Sequence, residues 1–172
     1  MHIYAIIINF EENKDMDYYK VYIQQEKTGA AMIETIDAWG MYCMDLPFRV
    51  ATSVKSPTKR DWMDEDGTDE YIPEDGLKLE SYDMDVKFGF KGDKFAANAA
   101  IGTMLKYMKQ GYIKLYCDYT KIGRQHVRLS KLEDNAELVR TDEGDILVIK
   151  VTLTVTDPVT DIAIKDGELK EA

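Results

Sequence analysis

Strict alternation of apolar and polar residues organises most of the chain. In Tyr82-Asp-Met-Asp-Val-Lys-Phe-Gly-Phe90, Tyr82, Met84, Val86, Phe88 and Phe90 share one face. Asp83, Asp85 and Lys87 share the other. A period of two is that of a half-buried strand. Tyr112–Tyr119 alternates again, with Ile113, Leu115, Cys117 and Tyr119 together, and residues 125–132 repeat the pattern with Val127 and Leu129. The intervening Thr120-Lys-Ile-Gly-Arg124 predicts a hairpin loop containing a glycine. A last long strand is expected over Asp145–Thr156, entered from the Asp142-Glu-Gly-Asp145 turn and stopped by Asp157-Pro158. Earlier in the chain, Ile3–Phe10 and Tyr18–Ile23 are rich in β-branched and aromatic residues and predict strands, with shorter candidates at 31–36 and 47–54.

One segment has a helical period instead. Ala97, Ile101, Met104 and Met108 form a stripe with Leu105 beside it, preceded by Asp93 as a candidate N-cap. Lys106 and Lys109 suit the negative end of the helix dipole, and Gly111 suits the C-terminal stop. The expected helix covers about residues 94–110. Its alanine-rich first half is thin enough to lie close to a sheet, with Ile101, Leu105 and Met108 against a face containing Phe88, Ile113 and Leu115. The fold class that follows is α+β but mostly β: a β-barrel or β-sandwich with one flanking helix. We expect a single domain over 1–157 and a partly frayed tail over 158–172.

Between these elements, Lys55–Gly76 holds two prolines, two glycines and, from Asp61 to Asp75, eight acids without a base. It reads as a long solvated loop or a wide hairpin arm.

The 172 residues are enough for one core, and 45% hydrophobic content is that of a globular chain. A formal net charge of −10 disfavours non-specific nucleic-acid binding and attachment to anionic membranes. The N-terminal apolar run has no basic residue before it and no small-residue cleavage site after it, so no secretory signal is read there. No stretch approaches the ~20 apolar residues of a membrane helix. Cys43 and Cys117 lie in apolar, strand-like surroundings and read as small buried hydrophobes, since neither a disulfide framework nor paired zinc ligands is present.

Catalytic and metal motifs are missing as well. The two histidines are His2 and His126, and no nucleophile elbow, H-E-x-x-H pair or phosphate loop occurs. Cys117 and His126 flank one hairpin, but no third residue orients them. Asp64-Glu-Asp-Gly67 resembles part of a calcium loop. With Gly67 in the sixth position, however, the first and twelfth positions are Trp62 and Pro73, which are not ligands. No enzyme activity, metal or cofactor is expected. The densest basic run, Lys121 to Lys131, carries Lys121, Arg124, Arg128 and Lys131 and suits an acidic neighbour better than RNA.

The order of features resembles bacteriophage tail proteins, particularly distal tail (baseplate hub) proteins and the related tail-tube fold. The residues that carry the resemblance begin with Ile36-Asp-Ala-Trp-Gly-Met41, Pro47 and Trp62-Met-Asp-Glu-Asp-Gly-Thr-Asp69. A strand ending Lys87-Phe-Gly-Phe-Lys-Gly92 follows, then the helix, Gly111-Tyr-Ile-Lys-Leu-Tyr116 and Val127-Arg-Leu-Ser-Lys-Leu132. The resemblance spans about residues 36–155. The segment before it reads as additional strands, and the chain ends soon after the core, so the likeness does not extend to the carbohydrate-binding appendage that some distal tail proteins carry. It implies a non-enzymatic ring subunit, hexameric, partnered by itself and by other tail proteins. Such a subunit is made in the bacterial cytoplasm and located in the virion tail, and its acidic surface can line a DNA channel. The interface candidates are Trp62, Tyr71, Asp64, Asp66 and Asp69 on the arm, facing Lys121, Arg124, Arg128 and Lys131 on the hairpin of the next copy. The alternative is a stand-alone β-sandwich module that binds a carbohydrate or a protein.

Overall fold

The computed structural model describes residues 20–46, 48, 52–133, 137–141 and 144–172. The strand expected at Ile3–Phe10, the residues before 20 in the Tyr18–Ile23 strand, and half of the 47–54 candidate lie outside the described residues.

The main sheet is antiparallel throughout. Its strands are β1 (Val21–Gln25), β2 (Ile33–Glu34), β3 (Met41–Asp45), β6 (Tyr82–Lys91), β7 (Ile113–Cys117), β8 (Ile122–Leu132), β9 (Glu137–Thr141) and β10 (Gly144–Val155). The order is β2-β1-β7-β8-β10-β6-β3, and the sheet curls into a half-barrel. From Ile146↔Lys91 to Val155↔Tyr82, β10 pairs with the whole of β6. Its other edge is covered in two stretches, by β9 near its start and by β8 near its end. The alternation read from the sequence is realised here. Tyr82, Met84, Val86 and Phe88 are buried and meet Ile149, Val151, Leu153 and Val155 of β10 in one core.

The polar face of the same strands is a ladder. Thr154 donates to Asp83 (2.6 Å) and Thr152 to Asp85 (2.7 Å), while the Lys150 ammonium bridges Asp85 and Glu133 at 2.9 Å each. The hydrogen bonds from Lys150 and Thr152 hold the Asp85 carboxyl below its usual range.

The helix lies where its stripe predicts. We label it α2 (Lys94–Met108), after the short α1 (Thr35–Trp39). The Asp93 carboxylate accepts from the N–H groups of Phe95 (2.8 Å) and Ala96 (3.2 Å), satisfying two of the donors a helix start leaves open. Met104, Leu105 and Met108 enter the core with Phe88, Ile113 and Leu115, and Ile101 packs at its margin. The 31–36 candidate becomes a two-residue strand that turns into α1, closed by Gly40 in the left-handed region (φ 64°).

Residues 158–172 differ from the expected frayed tail. β11 (Ile162–Lys165) and β12 (Glu168–Glu171) form a hairpin on the outer face of β1, β7 and β8. Ile162 and Leu169 are fully buried there against Tyr116, with Tyr22 and Met32 at the edge. The buried Gln24 side chain accepts from the Leu169 N–H (2.8 Å), and the Lys114 ammonium donates to the Leu169 carbonyl (2.6 Å). Arg124 pairs with Asp161 at the base of the hairpin. The segment alternates only weakly, and its partners lie more than 35 residues upstream, so local pattern does not reveal the docking.

The hairpin also explains Gly123. The expected loop Thr120–Arg124 is shorter in the structure, because strand β8 already begins at Ile122. Gly123 is therefore a strand residue. A Cβ there would stand 2.5 Å from Ile162 Cγ1 and 2.8 Å from both the Ile162 carbonyl and the Tyr116 ring. Close approach of another backbone, not turn geometry, requires glycine at this position.

Two predictions test the C-terminal packing. Leu169→Ala empties a fully buried site and should cost about 2–3 kcal/mol in urea unfolding; a change near zero would mean that the tail is frayed after all. The second concerns Asp157, which links β10 to the hairpin. Burial alone would raise its carboxyl pKa. Bonds from the Thr160 N–H and hydroxyl, the Gln125 amide and the Val159 N–H outweigh this and bring it down to about 2. Its folded pKa lies below the unfolded one, so its contribution is present above about pH 4 and lost as pH falls to about 2. Asp157→Asn should lower stability at neutral pH and flatten the stability loss across that acid window, as read by unfolding at stepped pH.

Candidate functional site

Between β3 and β6 the chain leaves the sheet as an arm. Its stem is pinned by the Val54↔Leu79 bridge, the Lys55 N–H to Lys78 carbonyl bond (2.8 Å) and the Glu80 N–H to Ser53 carbonyl bond (2.8 Å). Further out, β4 (Thr58–Arg60) pairs with β5 (Asp69–Tyr71), and both strands are exposed along their length. The wide hairpin arm read from the sequence is therefore a two-stranded ribbon. From Val54 to the tip it can reach about 30 Å, at ~3.3 Å per residue.

The charges on the arm are organised. Lys59 pairs with Glu70 (2.9 Å) and Lys78 with Asp75, Thr68 donates to Asp61 (2.5 Å), and the Trp62 indole N–H donates to Asp69 (3.1 Å). The Arg60 guanidinium lies over the Trp62 ring, 4.9 Å from its centroid. Asp64, Glu65 and Asp66 at the tip have no cationic partner among the described residues.

The arm also holds much of the exposed apolar surface. Trp62 (45% exposed), Tyr71 (68%), Met63, Ile72, Val54 and Leu77 all face solvent. Scattered single apolar residues on a surface need no explanation, but six on one ribbon with no core beneath them among the described residues do.

The basic residues do not form the single patch that the sequence suggests. Arg124, Arg128 and Lys131 are strung along β8 and Lys121 sits in the turn before it, about 30 Å from Lys131. Lys121 pairs with Asp118 (2.6 Å). Arg124 is buried, 3% exposed, and bound to Asp161, so it leaves the set of surface candidates. Arg128 and Lys131 remain exposed and flank a cleft of about 570 Å³ where the C-terminus of α2 meets β8. Lys109 and Tyr112 line its other side. Sequence reasoning missed Lys109 in this role because it lies on the helix, some twenty residues from its cleft neighbours.

The cysteine and histidine sit apart from any such chemistry. Cys43 and Cys117 are both buried as free thiols, and burial, reinforced by the nearby Cys117, pushes the Cys43 thiol well above its usual range. A thiol held protonated is a poor nucleophile. His126 has a left-handed backbone (φ 52°), and its Nδ1 lies 2.6 Å from the Glu26 carboxylate, with the Tyr112 ring edge-on at 5.6 Å. Glu26 also accepts from the His126 N–H, and the Thr156 N–H and hydroxyl both bond the His126 carbonyl. Those bonds hold a bulge in β8, where the register with β7 shifts. Among the described residues no three histidine, cysteine or carboxylate side chains converge as a metal site.

No family model matches the chain, and no curated protein matches it either. Among solved structures, the chain is similar in fold to the Dit (gp 19.1) protein of phage SPP1, described as a hub adsorption apparatus in phages that infect Gram-positive hosts. The TM-score is 0.54 at 11% identity, over 84% of this chain. The chain spans 52% of the length of that protein, and the likeness is one of fold: a β-rich α+β half-barrel with few helices.

Proposed function

We propose that this chain is a non-enzymatic structural component of a bacteriophage tail, acting by assembly in the tail tube, the terminator or the baseplate hub. The observation that carries the reading is the arm, an apolar and acidic ribbon that joins neither core cluster among the described residues, attached to a sheet whose fold is similar to that of a phage hub protein. A subunit that works alone has no use for six exposed apolar side chains on an extended ribbon, whereas a ring subunit uses such a ribbon to reach the next copy.

The partners in this reading are other copies of the chain, in a ring of six as the sequence resemblance implies, and neighbouring tail proteins. Trp62 and Tyr71 are the anchors, because large aromatics buried on association supply most of the binding energy. Asp64, Asp66 and Asp69 supply steering and register more than affinity. A net charge of −10 suits a wall past which DNA moves without adhering.

The test is sedimentation velocity over a range of concentrations. Wild type should form oligomers, and Trp62→Ala should weaken assembly by about tenfold or more in midpoint concentration, as expected for an aromatic anchor. A wild type that stays monomeric at every concentration would overturn the ring reading and favour a stand-alone binding module.

A further inference from the structure

The cleft at the end of α2 is electrostatically anomalous. In a chain with ten more acids than bases, Lys109, Arg128 and Lys131 converge on one cavity of about 570 Å³. Neither Lys109 nor Arg128 has a carboxylate partner among the described residues, and Lys131 is only felt at a distance by Asp85. The walls between these cations are apolar: Met108 and Leu129, with the half-exposed Tyr112 at the mouth. A basic rim around an aromatic and aliphatic floor fits an acidic segment that carries large apolar side chains.

The chain itself contains such a segment. Asp64, Glu65 and Asp66 stand without a cationic partner among the described residues at the arm tip, beside Trp62 and a fully exposed Met63. None of the residues lining the cleft comes from the chain's own arm. We infer that the arm tip of one copy seats in the Lys109–Arg128–Lys131 cleft of a second copy. This deepens the assembly reading above and rests on it. The contact is heterologous, since arm and cleft are different surfaces, and repeated contacts of this kind close into a ring or run on as a filament. Trp62 or Met63 enters against Met108, Tyr112 and Leu129. The tip carboxylates meet the three cations, where ion pairs partly shielded from water outweigh those on an open surface.

The experiment is a charge swap on the full chain, followed by sedimentation velocity at low and high salt. The tip variant is Asp64→Lys with Glu65→Lys and Asp66→Lys. The cleft variant is Lys109→Glu with Arg128→Glu and Lys131→Glu. All six positions are exposed, so the fold should survive, and circular dichroism checks that it does. Each variant alone should raise the association midpoint by about tenfold or more at low salt, with a smaller effect at high salt. The combined variant should return to within about threefold of wild type. Mixing the tip variant with the cleft variant should restore assembly as alternating copies, because the reversed tip fits the reversed cleft and the native tip fits the native cleft. If wild type assembles and both variants assemble as well as it does, the arm–cleft contact is overturned while the ring reading stands. If both weaken but the combined swap does not recover, arm and cleft meet different partners and the contact is again overturned. A wild type that never assembles overturns the contact and the ring reading together.

Discussion

The structure depends on one strand having both edges occupied. From Ile146 to Val155, β10 pairs with β6 on one side, and β9 and β8 cover its other side in succession. Its inward residues, Ile149, Val151, Leu153 and Val155, form the middle of the core. Register along β10 decides which residues face inward on three other strands, because a slip of one position would expose the whole apolar set. The Thr–Asp pairs and the Lys150 bridges on the outer face reinforce the same register from the solvent side. The helix, the arm and the C-terminal hairpin are all placed relative to this sheet.

Two faces of the sheet are used differently. The inner face takes Met104, Leu105 and Met108 of α2 and forms the larger core. On the outer face, β1, β7 and β8 receive the C-terminal hairpin through a smaller cluster around Tyr116, Ile162 and Leu169. Gly123 lets the two layers touch there, and Arg124, turned inward, is neutralised by Asp161. A buried guanidinium without that carboxylate would be costly, so the last fifteen residues are part of the domain's electrostatic balance as well as of its packing.

Charge is separated along the molecule. Acids on the sheet are compensated by threonines and lysines of adjacent strands, whereas the arm tip and the α2–β8 cleft keep charge of opposite sign without ion-pair partners among the described residues. An isolated domain would lose nothing by neutralising either. Uncompensated and complementary surfaces on one chain are what head-to-tail association requires.

How much of this was legible in the sequence follows from the range of the interactions involved. The strands at 82–91, 113–117 and 144–155, helix α2 with its Asp93 cap, and the arm as a polar hairpin could all be read, because a strand or helix with one buried face writes its own period into neighbouring residues. Only the tertiary structure could decide the rest. The hairpin at 162–171 packs on strands that begin at residue 21, and its few apolar residues, Ile162 and Leu169 among them, set no period. Arg124 looks like a surface base until Asp161 folds onto it. Gly123 looks like a turn until Ile162 packs against it. Lys109 joins Arg128 and Lys131 only because α2 ends beside β8. Periodicity reports whether a residue faces a core; which distant residue it meets there is set by how the sheet curls and what docks on its outer face.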